Sequence, residues 1–105
     1  IRDRLLIISR EVKMLRLNPV ATNQTELKIT NLQGTGLTVF FSYKTPVAYH
    51  ITGEFPVVTS TKHSQTTTKH INQWLSRNGF SKESIVEANQ QDIESSVDEW
   101  GRGGI

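Results

Sequence analysis

Several segments between Val12 and Ser60 alternate hydrophobic and polar positions at period two, and from Ser64 the apolar positions recur at helical spacing instead. "VKMLRL" places Leu15 and Leu17 on one face, and Asn18-Pro19 is read as its end. "TELKIT" turns Leu27 and Ile29 inward, which leaves Glu26 on the solvent side. After the glycine-containing loop "NLQGTG", the segment "LTVFFSY" is the strongest strand signal, with Leu37, Val39, Phe41 and Tyr43 on one face. "KTP" turns the chain, and "VAYHI" resumes with Val47, Tyr49 and Ile51 on that same side. "TGE" reads as a hairpin turn and "FPVVTS" as a strand. Pro56 removes a ladder donor, so this strand is expected at an edge or beginning at the proline. The opening "IRDRLLIISR" fits a short helix capped by Asp3 equally well as a strand.

On a helical wheel Thr67, Ile71, Trp74, Leu75 and Asn78 share a face, with Thr66 as the expected N-cap and Gly79 as the stop. "NQQDIESSVDEW" puts Ile93, Val97 and Trp100 on one stripe, with Asn89 as N-cap and Asp92 three residues on. "SIVEA" between the helices fits a short extended piece or an early helical turn, and "GRGGI" a flexible tail. The pattern predicts an α+β fold: a four- or five-stranded antiparallel sheet with the C-terminal helices packed on one face.

At 105 residues the chain is read as a single domain with one modest core. No apolar run is long enough to cross a bilayer, and "RLLIIS" is too short, with no small-residue cleavage site after it, for a signal peptide. The absence of cysteine excludes disulfides, a thiol nucleophile and thiolate metal sites, and it suits a reducing compartment. Charge is uneven. Residues 1–80 hold ten Lys or Arg against four Asp or Glu, whereas residues 81–105 hold two against six. The body is therefore basic and the tail acidic, which suits either a polyanion partner or an acidic helix packed on a basic sheet.

Candidate chemistry is sparse. The three histidines, His50, His63 and His70, lack the local spacing of a zinc pair. There is no Gly-x-Ser-x-Gly elbow, no phosphate-binding loop and no paired carboxylates in the sheet region, so neither an enzyme, a metal site nor a cofactor is expected. An anion fits at the start of the first helix, near Thr66, Thr67, Lys69, His70 and Lys62, although capping explains the same threonines. A nucleic-acid platform would use Phe40 with Lys28 and His50 on the corresponding sheet face, unless Phe40 is covered by other elements.

Two stretches carry a resemblance. In "FSYKTPVAYH" the positions are Ser42, Tyr43, Thr45, Val47 and Ala48; in "TTTKHINQWL" they are Thr66, Thr67, Lys69, His70, Ile71, Asn72, Trp74 and Leu75. Together they resemble a family of short uncharacterised proteins of tailed bacteriophages and other prokaryotic viruses, across roughly residues 14 to 78 and more weakly the last helix. The resemblance implies a viral source, the host-cell cytoplasm, a usual start near Met14 with residues 1–13 as an extension, and no established activity. The expectation is an accessory protein that binds rather than catalyses, its partner an unknown protein or a second copy of itself and not a membrane. The alternative is a nucleic-acid-associated protein using the basic body, and the third reading an enzyme or metal protein whose site the sequence does not show.

Overall fold

The computed structural model describes residues 14–31 and 34–101; the readings made for residues 1–13, for the tail beyond Gly101 and for the Trp100 side chain lie outside the described residues. Six strands form one sheet in chain order: β1 (Met14–Ala21), β2 (Gln24–Thr30), β3 (Gly36–Ser42), β4 (Thr45–Ile51), β5 (Val57–Thr59) and β6 (Val86–Ala88). The first five run as an antiparallel meander, and β6 lies parallel to β5. A parallel neighbour requires a long crossover, and helix α1 (Gln65–Arg77) supplies it. A 3-10 turn at Lys82–Ser84 leads into β6, and helix α2 (Gln90–Gly101) follows.

Among the described residues the strand count is therefore six, not four or five, and the sheet is not purely antiparallel. "SIVEA" supplies the extra strand, and by pairing with β5 it removes that strand from the expected edge. Asn18-Pro19 does not end β1 either: Pro19 still pairs with Thr25, which an edge strand tolerates because only one side of it is laddered.

The helices pack on opposite faces, not on one. Ile71, Trp74 and Leu75 of α1 join Phe40, Ala48 and Val58 in one cluster, while Val97 of α2 packs with Ile29, Leu37, Val39, Phe41, Tyr49 and Ile51 in the other. Adjacent strand residues point to opposite faces, so a sheet covered on both sides buries both Val39 and Phe40 completely. A register shift opposite Phe40 and Phe41 leaves Val47 as the extra residue on β4, and it joins the Phe40 cluster instead of following Tyr49 and Ile51. Tyr43 also leaves the core row. It occupies the two-residue turn between β3 and β4 at φ 58°, and its side chain is 50% exposed.

Candidate functional site

Helix α1 begins one turn after β5 because Ser64, in an extended conformation, accepts the Thr67 N–H at 3.1 Å through its hydroxyl. Ser64, not Thr66, is the N-cap; Thr66 is an exposed residue of the first turn. At the other end Phe80 N–H bonds to the Leu75 carbonyl and Gly79 N–H to the Ser76 carbonyl, with Gly79 at φ 71°. These two bonds are a Schellman closure, and Phe80 packs on Trp74 with 5.6 Å between ring centroids.

The face of α1 against the sheet is polar as well as apolar. Ser42 Oγ lies 2.8 Å from His70 Nδ1 and 3.1 Å from Thr67 Oγ1. One turn on, Trp74 Nε1 donates to Glu26 Oε2 at 2.8 Å while its ring stacks on Phe40 at 5.4 Å. Further along, Gln24 donates to Gln73 Oε1 and accepts from Arg77 Nη2, both at 2.9 Å. Glu26 is thus not on a solvent face, as the alternation of "TELKIT" implied, but is buried at 8% exposure beneath the indole. Three strand positions, Gln24, Glu26 and Ser42, fix the seat of the helix through directional bonds that an apolar contact would not provide. Ser42 and His70 form a serine–histidine contact, yet Ser42 is 2% exposed, so its hydroxyl is closed to any incoming carbonyl in this packing.

The same sheet face is open beyond that seat. Arg16 pairs with Lys28, Lys28 with Thr38, and Thr38 with His50, so one row crosses four strands in register. The row shares the face of Glu26 and Phe40, each member being two residues along its strand from the row that α1 covers. Arg16 and Lys28 are exposed and Thr38 and His50 half-buried, with the His50 ring 4.8 Å from that of Phe80. Three inter-strand steps give the row a breadth of about 14 Å. Two like charges stand directly opposite each other here, an arrangement that destabilises a bare sheet. Among the described residues no carboxylate pairs with either.

Of the residues the sequence singled out for nucleic acid, Lys28 and His50 therefore fall in one row. Phe40 does not: it is wholly buried and stacked on Trp74, so it offers no face to a base. The half-buried aromatic beside the row is Phe80, which sequence reasoning passed over because it lies after the helix stop, and Arg16 was missed because "VKMLRL" was read for its leucines. The anion cluster also separates. Lys62 and Thr67 line a cleft between α1 and β5–β6, His70 turns to Ser42, and Thr66 and Lys69 are exposed outside that cleft. The three histidines have three different surroundings: Phe80 for His50, Gln90 Oε1 at 3.0 Å for His63, and Ser42 for His70.

No helix among the described residues is long and apolar enough to cross a membrane. The chain belongs to a family of unknown function, DUF8033, whose model matches residues 15–95, from β1 into the first half of α2. No curated protein and no solved structure matches it.

Proposed function

We propose that this member of the DUF8033 family is a binding protein without catalytic activity, and that the open half of its sheet takes the phosphate backbone of a single-stranded nucleic acid. The observation that carries the reading is the in-register row Arg16, Lys28, Thr38 and His50. Two like charges side by side, with no carboxylate paired to either among the described residues, cost stability in the free protein and gain it back against a polyanion, where each displaces a condensed counterion. Thr38 adds a hydroxyl between them and His50, and Phe80 sets an aromatic edge at the end of the row, the combination of charge and stacking surface that single strands engage. The motif resemblance to prokaryotic-virus proteins completes the proposal: an accessory protein working on nucleic acid in the host cytoplasm.

Titration of ¹⁵N-labelled protein with oligothymidylate tests it. Shifts concentrated at Arg16, Lys28, Thr38 and His50 support the reading; shifts elsewhere, or a stronger response to duplex DNA, count against it.

A second reading, self-association, rests on a different observation. Leu15 and Leu17 are 63% and 65% exposed on β1, the edge strand whose outer side has no partner among the described residues. An edge with two large apolar side chains is a pairing surface for another β1. Sedimentation analysis separates the cases: Leu15→Glu with Leu17→Glu shifts a dimer to monomer if this reading holds and leaves the sedimentation coefficient unchanged if it does not.

A further inference from the structure

The cleft between α1 and the β5–β6 pair lies on the same sheet face as the Arg16 row, four strands from Arg16 and one strand from His50 at the other end of that row. Its volume is about 470 Å³, in the range of sites that hold small molecules. The floor is apolar, made by Val58 of β5, Ile71 and Leu75 of α1, and Ile85 at the entrance to β6. Two lysines reach it from separate segments: Lys62 from the loop after β5 and Lys82 from the 3-10 turn before β6. A gap exists there because Gln24, Glu26 and Ser42 tie α1 to β2 and β3, which leaves the β5–β6 side of the same face less closely covered.

We infer that this cleft binds a small amphipathic acid, an apolar body seated on Val58, Ile71, Leu75 and Ile85 with one anionic group held by Lys62 at the end of the cleft beyond β5; Lys82 lies at the other end, next to Glu83 in its turn. The Ser64 hydroxyl already takes the Thr67 N–H, so the acid is assigned to the lysine ammonium and not to that helix donor. Glu87 also lines the cleft, and its charge opposes a second negative group, so a monoanion fits better than a dianion. An unsubstituted anion such as phosphate would gain nothing from the apolar floor. Nothing in this inference depends on the polyanion row.

Isothermal calorimetry with 4-phenylbutyrate, 4-phenylbutan-1-ol and acetate separates the two contributions. The expected result is saturable binding of 4-phenylbutyrate, at least about fivefold weaker binding of the alcohol and none of acetate. Lys62→Ala should weaken the acid by about tenfold and leave the alcohol unchanged, whereas Lys82→Ala should leave both unchanged. Asn72→Trp, an exposed α1 position on the cleft wall, should block both ligands without removing a charge. Equal affinity for acid and alcohol, full binding to Asn72→Trp, or no heat from 4-phenylbutyrate at millimolar concentration would overturn the proposal.

Discussion

Trp74 and Glu26, 48 positions apart in the chain, meet through a 2.8 Å hydrogen bond from the indole nitrogen to a carboxylate oxygen that is buried beneath the ring. The bond joins the middle of α1 to β2 and fixes which part of the sheet the helix covers. It also leaves the next row along the strands, Arg16 to His50, outside the helix footprint. The proposed binding surface is thus a consequence of where α1 is seated.

Removing the donor should therefore be worse than softening the acceptor. Trp74→Phe keeps most of the apolar packing but leaves a buried carboxylate without its partner, at a cost of roughly 3 kcal/mol or more. Glu26→Gln retains an acceptor oxygen and relieves the burial of charge, so its change should stay within about 1 kcal/mol. Urea unfolding of both variants checks the order; equal losses would mean that the hydrogen bond contributes nothing beyond packing.

Capping should discriminate between neighbouring residues. Ser64→Ala removes the side chain that accepts the Thr67 N–H and is expected to cost about 1 kcal/mol. Thr66→Ala, at an exposed first-turn position, should change stability by no more than about 0.5 kcal/mol. The reverse ranking in thermal denaturation would restore Thr66 as the cap.

A third stability test concerns Gly79, which closes α1 at φ 71° with open space around the position of a Cβ. Gly79→Ala meets no steric contact, so its cost is the backbone term alone, about 1 to 2 kcal/mol. A neutral result in urea titration would contradict the Schellman closure described above.

The period-two alternation and the period change at Ser64 made the strands and both helices legible in the sequence, and Asn89 proved to be the cap of α2, accepting the Asp92 N–H at 2.8 Å. What sequence could not show was the second covered face. "LTVFFSY" reads as a one-sided strand, yet Val39 and Phe40 are both buried, because the α1 and α2 connections leave the parallel pair β5–β6 in opposite directions. The three-residue "VEA" is too short to announce itself as a strand, and its parallel pairing depends on the crossover, a long-range feature without a local signal. At the site, Lys28 and His50 were visible as polar strand positions on corresponding faces. Arg16 joins them only through the β1–β2 register, and Phe40 was lost to the row because Trp74, from a distant helix, stacks on it.

The binding surface itself is tested by substitution within the row. Thr38→Ala removes a hydroxyl between the cations and His50 without altering charge, so it should weaken oligonucleotide binding by a factor of about two to five while leaving the salt dependence unchanged. Fluorescence anisotropy at two salt concentrations distinguishes this from loss of a phosphate contact.

The most direct measurement is the salt dependence of binding to a labelled single-stranded oligonucleotide, compared between the unaltered chain and Lys28→Ala. Two phosphate contacts, one each at Arg16 and Lys28, predict a slope of log K against log salt of about −1.4, reduced in magnitude by about 0.7 when Lys28 is removed. A slope near zero, or an identical slope and affinity in Lys28→Ala, would contradict the assignment of this row as a nucleic-acid surface.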